Sequence, residues 1–263
     1  MIRRKNNHHF RKMILVEVLL WIYFSAICVG SIKKLGILLL TIYFWLVAII
    51  SVVITSIICI IIYPFVNKKI FCNIFHMTIG IIVMTLMRPF WSLKIKGDFP
   101  KQQCVMVANH ESFIDSLLMA QIPIYKKFIM AGKYARIPLF GQLCIASGAV
   151  PFDKNGPGGT VDICKRAMSD GSSFVIYPEG KRSDVGLLEF KTGAFRLAKE
   201  TGVPIIPVTL KGTSKALGIG GWCYPSNLEI IIGSPIYIQN IDEGIQQARN
   251  TIRRNLLFNS SIK

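Results

Sequence analysis

One histidine and one aspartate have the types and spacing that acid-base chemistry needs. The stretch 109–115 reads Asn-His-Glu-Ser-Phe-Ile-Asp and follows a short apolar run that ends at Ala108. Imidazole titrates near neutral pH, so His110 could accept a proton, while Asp115 could orient the ring and stabilise its charged form. Because no histidine follows His110, and His76 is the nearest one before it, the C-terminal part offers no other histidine base.

The spacing of this pair also permits a purely structural interpretation. Residues five apart lie roughly 140° apart around a helix, so His110 is expected in a strand-to-helix corner and Asp115 in the first helical turn. Ser112-x-x-Asp115 forms a capping box that would start a helix at Phe113. In the structural interpretation Asp115 only caps that helix and His110 is incidental. The spacing alone leaves both interpretations open.

A second polar segment carries the residue types of a phosphate site. It reads Pro-Glu-Gly-Lys-Arg-Ser at 178–183, directly after a short apolar run. Gly180 permits backbone conformations closed to other residues and lets a ligand approach closely. Lys181, Arg182 and the later Lys191 offer cationic donors, and arginine can hold a phosphate through two hydrogen bonds. An exposed charged loop remains the alternative.

The elements that must position these residues alternate between short apolar runs and helical patterns. Strands are predicted at 103–108, 127–130, 149–152, 173–177, 205–210 and 228–232, and helices at 113–121, 161–169, 193–201 and 242–257. This alternation predicts an α/β fold with a mostly parallel or mixed sheet flanked by helices. In such sheets, sites form outside the carboxyl ends of the strands, which is where both polar segments stand.

The overall composition excludes several classes of protein. The 263 residues are 52% hydrophobic and 17% charged, with a mean hydropathy of +0.47 and a net charge of +17. These values exclude a disordered or fibrous chain and argue against a simple soluble globule. The positive charge suggests nucleic acid, an anionic membrane or a phosphate-bearing substrate, and the excess of apolar residues favours the last two. Neither zinc-finger spacing nor an RNP-like strand is present. Seven cysteines without a C-x-x-C pair predict neither disulfides nor a metal site.

The charge and the apolar residues divide the chain near residue 91. Residues 1–91 hold a single acid, Glu17, and are predicted to form a membrane region. Within it, 13–32 and 35–63 are predicted to be two spans joined by a turn at Lys33-Lys34, although Glu17 weakens the first of them. Residues 70–91 are predicted to form a helix that lies at the membrane interface, with Trp91 at headgroup level, or packs on the next domain.

The basic residues near the N-terminus predict the orientation of the chain. Five lysines and arginines precede Met13 and favour the cytoplasm, and two spans would return the chain to that side at Lys68-Lys69. Residues 92–263 are therefore predicted to be a cytoplasmic α/β domain. The chain as a whole would be an integral membrane protein, in the inner membrane if it is bacterial.

Three motifs in this order resemble the glycerolipid acyltransferases. They are Asn-His-x4-Asp at 109–115, Pro-Glu-Gly-x-Arg-Ser at 178–183 and Val-Pro-Ile-Ile-Pro-Val at 203–208. The resemblance covers roughly residues 93–233, behind an apolar N-terminal segment of the expected kind. It implies that His110 and Asp115 are the catalytic pair.

The resemblance also implies which residues bind the phosphate of the acyl acceptor. Glu179, Gly180 and Arg182 match the block that holds this group. Lys154 stands where the family usually has an arginine, so it keeps the charge but loses the two-point grip. Lys181 stands where the family usually has threonine, which adds a positive charge at the site.

The activity implied by the resemblance is acylation of the free sn-2 hydroxyl of lysophosphatidic acid, which gives phosphatidic acid. The donor would be an acyl thioester on coenzyme A or acyl carrier protein, with no bound cofactor, no metal and no acyl-enzyme. One alternative is an acyltransferase for another acceptor, glycerol-3-phosphate or a different lysolipid. The other is a non-catalytic lipid-binding membrane protein in which His110 and Asp115 only cap a helix.

Overall fold

Two helices open the chain and run back along each other. The computed structural model describes residues 2–137, 140–152 and 159–258, with side chains from residue 30 onward except those of Lys68, Phe140 and Thr160. Helix α1 spans Ile2–Ile62 and helix α2 spans Lys68–Leu86, with a 3-10 turn at Tyr63–Phe65 between them. The proline in that turn prevents α1 from continuing.

The turn predicted at Lys33-Lys34 is wrong, because α1 passes through both lysines without a break. Lysine is a good helix former, and the chain has no proline before Pro64. The partner of the long apolar segment is therefore α2: Tyr43 Oη donates to the carbonyl of Leu86 at 3.0 Å, near the end of α2. Among the described residues, Gly30–Phe65 and Lys69–Leu86 are long and apolar enough to cross a membrane.

Within the described residues, seven strands form one mixed sheet in the order β1-β7-β6-β2-β5-β3-β4. They are β1 Trp91–Lys96, β2 Val105–Ala108, β3 Lys126–Ala131, β4 Val150–Phe152, β5 Ser173–Ile176, β6 Ile205–Lys211 and β7 Ser226–Ile232. Neighbouring strands are parallel except β6 and β7, so the α/β prediction is confirmed. The sequence analysis missed β1, an edge strand that is exposed along most of its length.

Helices cover both faces of this sheet. They are α3 Asp115–Ala120, α4 Gly132–Ala135, α5 Phe140–Ala146, α6 Thr160–Met168, α7 Gly193–Thr201, α8 Thr213–Ala216 and α9 Ile241–Leu257. The four predicted helices are all present, although α3 begins two residues later than predicted. Helices α4, α5 and α8 were not predicted, because four to seven residues are too few to show a helical period.

The N-terminal helices share a core with the sheet. Phe44 of α1 and Met87 lie in the same buried cluster as Met106 and Val208 of the central strands. Trp91 is 1% exposed, and its Nε1 donates to the carbonyl of Tyr224 at 2.9 Å. The predicted placement of Trp91 at the membrane headgroups is therefore wrong, and the alternative of packing on the α/β part is correct.

One buried charge holds the end of helix α3. Lys126 is 1% exposed, and its Nζ donates to the carbonyls of Ile122 at 2.6 Å and Ala120 at 3.3 Å. Burial lowers the pKa of Lys126 from 10.5 to about 8. Between these two values the unfolded chain binds more protons at this lysine than the folded chain, so the contribution of Lys126 to stability rises with pH.

We expect this contribution to be visible when the wild type is compared with Lys126→Met, which has no titrating group at this position. Raising the pH from 7.5 to 10 should increase the unfolding free energy of the wild type relative to the variant by up to about 3 kcal/mol. Thermal melts of both proteins in detergent across this range would measure the difference. A difference that does not change with pH would contradict the assignment.

Candidate active site

The two polar segments meet because their strands are neighbours. Strands β2 and β5 pair in parallel, with Val107 opposite Ile176, so their carboxyl ends lie at the same edge of the sheet. The chain leaves β2 into residues 109–115 and leaves β5 into residues 177–183. The backbone N–H of Ser183 donates to the carbonyl of His110 at 2.9 Å, which joins the two segments directly.

His110 and Asp115 form a hydrogen-bonded pair at this edge. His110 Nδ1 lies 2.8 Å from Asp115 Oδ2, and the carboxylate is fully buried while the imidazole is 20% exposed. The same Oδ2 accepts the backbone N–H groups of Glu111 and Ser112, each at 2.8 Å. Because the carboxylate can only accept, Nδ1 carries the ring proton and Nε2 is left as the basic atom.

The predicted capping box forms only in part, because helix α3 begins at Asp115 and its N-cap residue, Ile114, has no side-chain cap. The bond from the Ser112 N–H to Asp115 is one half of a capping box. The hydroxyl of Ser112 accepts the N–H of Ile114 at 3.3 Å and donates to the carbonyl of Leu217 at 2.5 Å. One carboxylate oxygen therefore binds the backbone just before helix α3 and also contacts the imidazole.

Asn109 anchors the corner to the sheet. Its side chain exchanges two hydrogen bonds of 2.8 Å with the backbone of Leu210 in β6, donating from Nδ2 and accepting at Oδ1. Just past the end of β2, the side-chain amide thus makes the two hydrogen bonds to β6 that a strand backbone would make. This role of Asn109 was not predicted from the sequence.

The assignment of Glu179 to the phosphate ligands is wrong. Its Oε1 accepts the backbone N–H of His110 and its Oε2 accepts that of Leu188, both at 2.8 Å, and the residue is 4% exposed. Burial raises the pKa of this carboxyl group. A carboxylate whose oxygens are both taken by backbone donors has no means of binding a phosphate, and its charge would repel one. Glu179 instead holds the histidine corner against the loop that precedes α7.

The predicted cationic residues stand beside this corner. Lys181 and Lys191 are exposed and Arg182 is half-buried. Within the described ranges, none of the three forms an ion pair. Gly180 has φ +72°, a backbone conformation that favours glycine. A Cβ there would lie 2.5 Å from Lys191 Nζ, so the end of this lysine would also have to move. Lys154 lies outside the described residues.

Tyr177 is the residue that sequence reasoning missed. Its ring stacks on the imidazole of His110, with centroids 4.0 Å apart and planes 14° from parallel. No spacing pattern marks this tyrosine. Its position directly after β5, beside the end of β2, is the one signal that could have indicated it.

The α/β part is similar to known acyltransferases. The Acyltransferase family model matches residues 92–211. A chloroplastic 1-acyl-sn-glycerol-3-phosphate acyltransferase of Brassica napus is 36% identical over 178 residues, which cover 64% of this chain and 52% of that protein. The 1-acyl-sn-glycerol-3-phosphate acyltransferase of Escherichia coli strain K12 is 32% identical over 143 residues, covering 50% of this chain and 58% of that protein.

A solved structure agrees in fold. The crystal structure of the 1-acyl-sn-glycerophosphate acyltransferase PlsC from Thermotoga maritima superposes with a TM-score of 0.75, at 22% identity, over 84% of this chain and 95% of that one. The chain spans about half the length of the first curated relatives that it matches. The stretch matched by the Acyltransferase family model, 92–211, contains both polar segments of the candidate site.

Proposed function

We propose that the chain transfers an acyl group from an acyl thioester to the free sn-2 hydroxyl of lysophosphatidic acid, which gives phosphatidic acid. The observation that carries the proposal is the His110–Asp115 pair, which leaves a basic Nε2 beside a loop of cations without acidic partners among the described residues. The relatives are named for the same acceptor, which supports this proposal.

The pair would act as a general base. His110 Nε2 takes the proton of the acceptor hydroxyl as its oxygen attacks the thioester carbonyl, and the buried charge of Asp115 stabilises the imidazolium that forms. The tetrahedral intermediate then collapses with cleavage of the C–S bond, and the imidazolium returns the proton to the leaving thiolate. The hydroxyl of the acceptor is the nucleophile, so the step needs neither an acyl-enzyme nor a metal.

The cations would hold the phosphate of the acceptor. Arg182 can bind it through two hydrogen bonds, and Lys181 and Lys191 add positive charge at the mouth of the site. Lys154 would join them from the segment outside the described residues. Holding the phosphate here would fix the distance between the acceptor hydroxyl and His110. Binding of the phosphate would then also orient the hydroxyl for the reaction.

The donor would be acyl-CoA or an acylated carrier protein, used as a substrate rather than a bound cofactor. Both donors present the same thioester, and their acyl chains, like that of the acceptor, require an apolar surface. The bilayer would supply both lipids along one surface.

The exposed apolar side chains of α1 support a place in the membrane. They include Leu39, Leu46, Ile50, Ile54, Ile57 and Ile61. So much exposed aliphatic surface on one helix is costly in water and favourable in lipid. We place the chain in a membrane with Gly30–Phe65 and Lys69–Leu86 crossing in opposite directions. The basic residues before Met13 and the α/β part would then lie on the same, cytoplasmic side.

Arg182→Ala tests whether the acceptor is lysophosphatidic acid bound through its phosphate. Initial rates in detergent micelles would be measured by lipid mass spectrometry with acyl-CoA and acyl carrier protein donors, and with lysophosphatidic acid, glycerol-3-phosphate and monoacylglycerol as acceptors. Wild type should prefer lysophosphatidic acid. Loss of a charge-assisted hydrogen bond of about 1.5–3 kcal/mol should raise its KM roughly ten- to a hundredfold in the variant.

Monoacylglycerol has no phosphate, so its turnover should be nearly unchanged in Arg182→Ala. Arg196→Ala is the matched control, because Arg196 is an exposed arginine on α7 that pairs only loosely with Glu200 at 3.7 Å. Equal losses for both acceptors would remove Arg182 from the phosphate site. If the wild type prefers glycerol-3-phosphate, the proposal that lysophosphatidic acid is the acceptor is wrong.

A further inference from the structure

We infer that Tyr177 is a positioning residue for His110, fixing the plane of the imidazole and stabilising it when it becomes positively charged. This inference rests on the proposed role of His110 as a base. It begins from the stacked geometry of the two rings, which lie 4.0 Å apart and 14° from parallel.

The hydrogen bond to Asp115 fixes only part of the orientation of His110. A single contact at Nδ1, 2.8 Å from the carboxylate, sets the direction of one ring atom but allows the ring to rotate about that hydrogen bond. Rotation would swing Nε2 away from the acceptor hydroxyl. A flat surface against one face of the imidazole prevents it, and Tyr177 is placed as that surface.

Tyr177 is itself held from two sides. The carbonyl of Tyr177 accepts the N–H of Gly180 at 3.0 Å, in the turn that follows β5. Its hydroxyl lies 3.4 Å from the Oγ of Ser116, which follows Asp115 on helix α3. Helix α3 therefore carries Asp115 and also contacts Tyr177. Because one helix holds both residues that contact His110, their positions relative to each other are fixed.

The stack also suits the charge that His110 gains in the reaction. The face of an aromatic ring carries negative electrostatic potential and attracts a cation, more strongly where water is excluded. Burial raises the pKa of Tyr177, so its hydroxyl stays neutral and the ring acts through its face alone. The ring would favour the imidazolium over the neutral imidazole.

The test compares Tyr177→Leu, which removes the ring, with Tyr177→Phe, which removes only the hydroxyl. Tyr177→Leu should lower kcat about three- to thirtyfold with little change in KM. Tyr177→Phe, which keeps the ring, should have a kcat close to that of the wild type. The control is Phe174→Leu, the same kind of change in a fully buried aromatic at the opposite end of β5, which should leave kcat unchanged.

A second readout does not depend on activity. The chain has four histidines, so isotope labelling of histidine gives few NMR signals, and loss of one signal in His110→Ala assigns that residue. In the wild type and in Tyr177→Phe, the ring current of residue 177 should shift the carbon-bound protons of His110 upfield of their free-histidine positions. Tyr177→Leu should abolish that shift.

Unshifted His110 protons in the wild type would overturn the inference, even if Tyr177→Leu does not fold. An equal loss of kcat in Tyr177→Phe and Tyr177→Leu would also overturn it, because the hydroxyl would then carry the effect. If the shift is present while His110→Ala keeps its turnover, the stack exists but the proposed base is wrong, so the two failures are distinguishable.

Discussion

His110→Ala should reduce acyl transfer about 10²–10⁴-fold while leaving the protein folded, because general-base catalysis contributes an acceleration of that size. The imidazole is partly exposed, and the backbone N–H and carbonyl of residue 110, which bind Glu179 and Ser183, remain in the variant. Steady-state turnover with lysophosphatidic acid and a thermal melt of the same sample would measure both effects.

A variant with near-normal turnover would show that His110 is not the base. The capping interpretation would then be sufficient, and a lipid-binding role without catalysis would become the better explanation. A variant that loses activity together with its melting transition would instead require a second substitution, such as His110→Gln, that keeps the polar contact to Asp115.

Asp115→Asn should reduce turnover by about 10²–10⁴-fold, as losing the carboxylate of a histidine–aspartate pair does elsewhere. Asparagine keeps the shape, and its carbonyl oxygen can still accept the N–H groups of Glu111 and Ser112. It removes the charge that stabilises the imidazolium, and its amide can hold His110 in the wrong tautomer. Melting should change little, because asparagine is also a good helix cap.

The matched control is Asp162→Asn, which removes an exposed carboxylate from the first turn of another helix, α6. Its turnover should equal that of the wild type. If Asp115→Asn keeps its activity and only melts at a lower temperature, then Asp115 acts as a helix cap alone and the catalytic pair is refuted.

Local patterns were sufficient for the elements of the α/β part. Runs such as 205–210 and the helical period of 242–257 depend on neighbouring residues, so they predicted β6 and α9 to within a residue or two at each end. The same holds for helix α7, predicted at 193–201 and found at Gly193–Thr201. Strand β1 was missed although its sequence, Trp-Ser-Leu-Lys-Ile-Lys, alternates between apolar and polar residues. Its pairing with β7, more than 120 residues later, has no local signal.

The sequence by itself also determined the candidate base, since only one histidine follows residue 91 and an aspartate stands five residues beyond it. It could not place the turn between the apolar helices, because lysine fits both a helix and an interfacial turn. The proline at position 64, and the packing of α1 against α2, decided that point.

Only the tertiary structure decided what surrounds the base. Glu179 reaches the backbone of His110, Tyr177 reaches its ring, and Asn109 reaches Leu210, across separations of 67 to 101 residues. Each contact exists because β2 lies between β5 and β6, so that three chain exits converge at one edge of the sheet. Strand order is set by packing over the whole domain rather than by neighbouring residues. The sequence therefore could not show that Glu179, a carboxylate within a basic motif, accepts hydrogen bonds from the backbone of His110 and Leu188.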